Sequence, residues 1–135
     1  MTTSLPNDAS EAGEHKLIRA SRVEQVSVYS DGGERIGHIE DLAIDRVTGQ
    51  VIYAIMSFGG FLGLGKRYHP LPWDVIHYDP SMSGYIVNLD RAALQDAPHF
   101  SAEDLEVFDG HEQRAHARSI YEYYGSIAPY VIPPL

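Results

Sequence analysis

Gly60, Gly65 and Lys66, in the stretch GGFLGLGKRYHPLPW (residues 59–73), stand at the spacing of a phosphate-binding loop, G-x-x-x-x-G-K-[ST]. Such a loop grips phosphates with the N–H groups of a Gly-rich turn, a helix N-terminus directly behind it and a hydroxyl on magnesium. Arg67 occupies the place of the hydroxyl, and Pro70 and Pro72 follow, neither of which can donate a helix hydrogen bond. No helix can begin there, so phosphate chemistry is set aside. Gly60, Gly63 and Gly65 suit a tight connection between strands instead, and Phe61, Leu62 and Leu64 form an apolar tip suited to contact with another protein.

The seven histidines raise the question of a metal, because His69 and His77 flank Trp73 and His38 is expected on a neighbouring strand. Their spacing follows no compact His-x-x-x-His or His-Glu rule, so no metal ligand and no cofactor is assigned. Asp41 and Asp45 lie four apart in a strand-like run and could do acid–base work if they faced a cleft. The simpler reading has Asp45 anchoring the turn before Thr48-Gly49 and Asp41 marking a bend. No G-x-S-x-G elbow, cysteine nucleophile or zinc-protease pattern supplies an enzyme. Trp73, Tyr53 and Phe58 are expected in a core rather than in an aromatic binding pocket.

A chain of 135 residues can bury one core without staples. It contains no cysteine, which fits a reducing compartment, and the cytoplasm is the expected location. The N-terminal MTTSLPNDASEAGEHK lacks a basic start followed by an apolar run; residues 1–14 read as a disordered arm rather than a secretory signal. The longest uncharged run, Val47 to Gly65, nears the ~20 residues of a membrane helix. It holds five glycines, Thr48 and Gln50, so a strand and a loop explain it better than a transmembrane segment. A net charge of −9, with basic residues scattered apart from Lys66-Arg67, repels phosphate backbones, and nucleic acid is not an expected partner.

These side chains need elements to hold them. VSVYS runs into Asp31-Gly32-Gly33, a hairpin signal, and ERIGHIEDLAIDR follows as a second strand. The apolar phase of that strand slips between Ile39 and Leu42, as a bulge would make it do. After the turn RVTGQ comes VIYAIMSF, apolar on both alternations: Val51, Tyr53 and Ile55 on one, Ile52, Ala54, Met56 and Phe58 on the other. KRYHPLPW, DVIHY and YIVNLD complete about six short strands at hairpin spacing, the pattern of a small antiparallel barrel. Asp90 can N-cap a short helix, RAALQ. Residues 96–112 are acidic without Lys or Arg, a helical pattern runs from Arg114 to Tyr124, and Tyr121, Tyr123, Tyr124 and Tyr130 crowd the end of the chain.

The run from Gly33 to Asp79 resembles the PRC-barrel family, named for the cytoplasmic domain of the H subunit of purple-bacterial photosynthetic reaction centres. A related barrel forms the C-terminal part of RimM-type ribosome maturation factors. The matching features are Gly33, Ile36, Gly37, Ile39 and Asp41 at a G-x-x-I-G-x-I-x-D start, Thr48-Gly49 in an acidic turn, the GGFLGLG loop, and PLPW ending in Trp73. Leu94, Ala97, Pro98 and Phe100 match a segment that follows the barrel in stand-alone bacterial members, and Tyr123-Tyr124-Gly125 matches their tail. The membrane helix of the photosynthetic subunit and the N-terminal barrel of the ribosomal factor have no counterpart here, so neither specialised role carries over.

The expectation is an all-β fold, a small antiparallel barrel over residues 15–90 with an acidic helical extension and Tyr-rich tail over 91–135. The function expected is a non-enzymatic binding or scaffold module. Its contacts would come from Phe61, Leu62, Leu64, Ile52, Met56, Phe58, Tyr123 and Tyr124, and its turns and packing from Gly37, Asp45, Gly49, Gly60, Gly63, Gly65 and Trp73. The partner is a protein or a second copy, and the expectation is a homodimer over the outer face of residues 51–58 in which the Tyr-rich tail also packs across the barrel. The alternatives are a metal-dependent enzyme using His69, His77 and an Asp, and a ribosome- or RNA-associated factor.

Overall fold

The computed structural model describes residues 17–58, 65–105 and 113–125. One turn of helix, α1 (Ala20–Val23), leads into six strands: β1 (Ser27–Ser30), β2 (Arg35–Ile44), β3 (Val51–Phe58), β4 (Arg67–Pro72), β5 (Ile76–Asp79) and β6 (Gly84–Val87). Helices α2 (Arg91–Asp96) and α3 (Gln113–Gly125) follow. The strands form one curled sheet in the order β4-β3-β2-β1-β6-β5, a half-barrel with a helical extension, as the alternation of short strands and turns implied.

One pairing departs from the antiparallel expectation: β1 and β6 run parallel. The cause is the link between β4 and β5. Trp73–Val75 form a single 3-10 turn closed by the Ile76 N–H on the Trp73 carbonyl, so the chain turns a corner there instead of reversing. With no hairpin at that point, β6 arrives beside β1 in the same sense.

The phase slip in β2 is a bulge. Ile39 pairs with Met56, Asp41 with Ile55 and Leu42 with Ala54, which leaves Glu40 as the extra residue. Without it, Ile39 and Leu42 would point to opposite faces; with it, both join Met56 and Ala54 on the inner face. The next β2–β3 turn is built by Asp45, whose carboxylate accepts from the Val47 and Thr48 amides at 2.8 and 3.0 Å. Gly49 closes that turn at a φ of +81°, where a side chain is strained.

β3 is covered twice. Ala54 and Met56, facing inward with Ile39 and Leu71, are fully buried, and the alternate residues Tyr53, Ile55 and Ser57 are buried too. On that second side α3 of the same chain, packed on β4, reaches β3 at Tyr53, whose ring lies 5.8 Å from that of Tyr121; Ile120 and Tyr124 are sealed into the core. α2 contributes buried Leu94 to the core. The Asp90 carboxylate caps this helix by accepting from the Ala93 amide at 2.8 Å. Arg91 ties α2 back to the β1–β2 hairpin, bonding Glu34 and the Arg35 carbonyl, each at 3.1 Å.

Among the described glycines the tightest is Gly37, where a Cβ would overlap the Ser57 carbonyl oxygen and lie 3.0 Å from Met56 Cγ. Gly37→Ala is expected to cost about 2 kcal/mol or more by overpacking. Gly125→Ala, where a Cβ meets nothing within 4 Å, is expected to stay within about 0.5 kcal/mol of the parent. Urea denaturation of the two variants checks the contrast; equal midpoints would contradict the close approach.

Candidate functional site

The side chains that could carry chemistry are dispersed. His38, on β2, meets the Glu40 carboxylate at 3.1 Å, and Lys66 approaches the same carboxylate at 3.6 Å, giving a partly exposed surface cluster. His77 is exposed on β5, one end strand of the sheet, while His69 is sealed on β4, the other end strand. Among the described residues no group of three His, Cys, Asp or Glu side chains is placed to hold a metal ion. Asp41 accepts from the Leu42 amide at 2.8 Å beside the bulge, and Asp45 is committed to its turn, where the Thr48 and Val47 amides hold its carboxyl below the usual carboxylate range.

The aromatic residues go to separate neighbours. Trp73 is half-buried with its ring 5.8 Å from Tyr85, which in turn meets the exposed Tyr78 at 5.3 Å. Tyr53 faces Tyr121, and the Phe58 ring lies edge-on to His69 at 5.8 Å. Burial lifts the Tyr121 hydroxyl to about 12, with the Asp74 charge adding to it, so this phenol stays protonated over the physiological range.

Of the residues expected at a protein contact, Met56, Phe58 and Tyr124 lie in the core, and Ile52 and Tyr123 are half-buried against it. The Tyr123 hydroxyl donates to the Ala93 carbonyl, pinning α3 to α2. Phe61, Leu62 and Leu64, with Gly60 and Gly63, fall outside the described residues; Gly65 lies in a turn two residues before β4. Residues 53 to 58 of β3 are buried within the chain on both alternations.

Two features were not singled out from the sequence. The first is the apolar exposure at the Asp45 turn, where Val47 is 89% exposed and Ile44 52% exposed. Two Asp45 side-chain bonds hold it, joined by Gly49 N–H to the Asp45 carbonyl at 2.7 Å and the Gln50 amide to Thr48 Oγ1 at 3.2 Å. A valine inside an otherwise polar turn was the available signal. The second is the histidine pair at the β4 edge. Phe100 bridges Tyr68 through two 2.9 Å backbone hydrogen bonds, which brings the His99 ring to 5.5 Å from that of His69.

His69 is fully buried, and neither ring nitrogen has a partner in hydrogen-bond geometry. Burial chiefly, then the His99 and Arg67 charges, bring its pKa down to about 4; the Pro98 carbonyl works weakly the other way. The ring is neutral inside the fold. With no nucleophile or carboxylate acting on it, it lacks the neighbours of a general base.

The architecture defines a small β-barrel module with a helical cover. The PRC-barrel domain family matches residues 15–93, more than half of the chain, and the chain belongs to that family. Members of this family are generally non-enzymatic. Comparison with curated proteins finds no match. No helix of the described residues is long and apolar enough to cross a membrane.

The buried imidazole sets a pH dependence. The folded ring resists its proton down to about 4, whereas the unfolded ring takes one near its ordinary 6.5. Stability from this group is therefore complete above pH 6.5 and falls as the pH drops toward 4. Between pH 7.5 and 5 the loss is about 2 kcal/mol by linkage. Urea titrations of the parent and of His69→Leu at the two pH values should show this loss in the parent and its disappearance in the variant. Equal pH dependence in both would contradict the assignment.

Proposed function

We propose that this chain is a non-enzymatic binding module of the PRC-barrel type whose partner is a protein. The observation that supports it is the β2–β3 tip. Several hydrogen bonds fix a turn whose most exposed side chain is an apolar valine, next to a half-exposed isoleucine. A preorganised apolar tip loses little conformational entropy on docking, which is what a contact surface needs. The Phe61, Leu62 and Leu64 loop, which follows the opposite end of β3, is a second and separate contact proposed from the sequence.

The dispersal of the ionisable groups favours this reading over an enzyme using His69, His77 and an Asp. Charge placement favours it over a ribosome- or RNA-associated role: Lys66 is paired with Glu40 and Arg91 with Glu34, which dilutes the positive field a phosphate backbone requires. Self-association, if the module uses it, would run through surface other than β3.

A photo-crosslinking residue at position 47, with one at exposed Ser119 on α3 as reference, tests the tip in living cells. The proposal expects discrete protein adducts from position 47 that weaken at least fivefold when Ile44→Asp is added, with none of comparable yield from position 119. Matching adduct patterns at the two positions would count against the tip. Stoichiometric zinc or iron in the purified protein would turn the reading toward the enzyme.

A further inference from the structure

His69 is fully buried on β4, and neither Nδ1 nor Nε2 reaches a partner in hydrogen-bond geometry. A buried polar atom without a partner is costly, and the nitrogen of a neutral imidazole that carries no hydrogen is satisfied only by giving its lone pair to something. The Pro98 carbonyl, near the ring but outside that geometry, favours a hydrogen on the nitrogen it faces, which leaves the lone pair on the other.

A second imidazole lies within reach of that lone pair. The His99 ring comes to 5.5 Å from the His69 ring, centroid to centroid. Its Nδ1 stands 3.2 Å from the Ala97 carbonyl. A carbonyl can only accept, so Nδ1 carries the hydrogen and the neutral ring keeps its lone pair at Nε2. Each ring thus has one nitrogen beside a backbone carbonyl and a lone pair on the other. Metal-bound histidines are held in this way, the outer N–H donating to a carbonyl or carboxylate. The spacing also fits a shared ion: with metal–nitrogen bonds of about 2.0 Å, two imidazoles on one ion place their centroids roughly 5–6 Å apart. Exposed His99 would form the mouth of such a site and buried His69 its floor. The surroundings decide the kind of ion. No carboxylate is among the groups that act on His69, Arg67 supplies a fixed positive charge, and on β3 the ring meets Phe58 and lies opposite Met56. A divalent ion would bring two charges toward a guanidinium with nothing to offset them. A soft monovalent ion carries half that charge and is content with two nitrogen ligands.

We propose that His69 and His99 form a two-histidine site for a soft monovalent cation, copper(I), which joins β4 to the segment that follows α2. Burial keeps the His69 ring neutral down to about 4, so the ion displaces no proton there over the physiological range. The ion ties two parts of the chain together and supplies no reacting group. It stabilises the folded chain in proportion to its occupancy, since the unfolded chain does not hold the two rings side by side.

Silver(I), a redox-inert stand-in for copper(I), tests the site on the full chain in chloride-free buffer. Long-range proton–nitrogen NMR correlations are expected to show Nε2 of His99 and one ring nitrogen of His69 moving together and saturating at one equivalent. By calorimetry the affinity should fall at least tenfold in His99→Ala and in His69→Leu, and stay within twofold of the parent in His77→Ala. Should His69→Leu not fold, His99→Ala, at an exposed position, carries the test. Rings of His69 and His99 that stay unshifted, an affinity unchanged in His99→Ala, or tighter binding of zinc(II) than of silver(I) would each overturn the proposal.

Discussion

An eight-residue strand with apolar side chains on both faces cannot stand at the surface of a barrel unless something lies over it. β3 is that strand, and the rest of the architecture answers its demand. The inward residues Ala54 and Met56 fix the register of β2 through the Glu40 bulge and that of β4 through Leu71 and His69. Of the outward residues, Tyr53 is met by Tyr121 of α3, and Ile55 is buried within the same chain. Burying each large side chain is worth roughly 1.5–3 kcal/mol, so leaving the outer set in water would remove a substantial part of a small domain's stability.

The two-sided cover also decides which surfaces remain for function. Met56, Phe58 and Tyr124 are spent on the core, and α3 is pinned by the Tyr123 hydroxyl on Ala93. Among the described residues, the large apolar side chains that face water are Val47 and Ile44 at the far end of the β2–β3 ribbon, held out by the Asp45 turn, Tyr78 on β5, and Leu17 and Ile18 ahead of α1. In the proposed reading the barrel is a rigid support for exposed tips.

Much of this was legible in the residues. Asp31-Gly32-Gly33, the slip between Ile39 and Leu42, and Asp90 ahead of RAALQ each state a local geometry through backbone or capping chemistry, and each element formed where that chemistry placed it. The parallel β1–β6 pair was not legible, because Trp73–Val75 carries no mark that separates a corner from a reversal; only the pairing of distant strands decides it. Nor could alternation alone say which agent covers β3, since a tail and a second copy bury the same side chains. The His69–His99 contact joins residues thirty apart through a one-residue bridge, too short to leave a periodic trace.

The central claim is that α3 covers β3 within the same chain. Ring–ring nuclear Overhauser effects between Tyr53 and Tyr121 test it directly, because the centroids lie 5.8 Å apart. In a sample mixed from isotope-labelled and unlabelled protein, the cross-peak is predicted to appear in the spectrum selecting contacts within one chain and to be absent from the spectrum selecting contacts between chains. A cross-peak found only between chains, or in neither spectrum, would contradict the account.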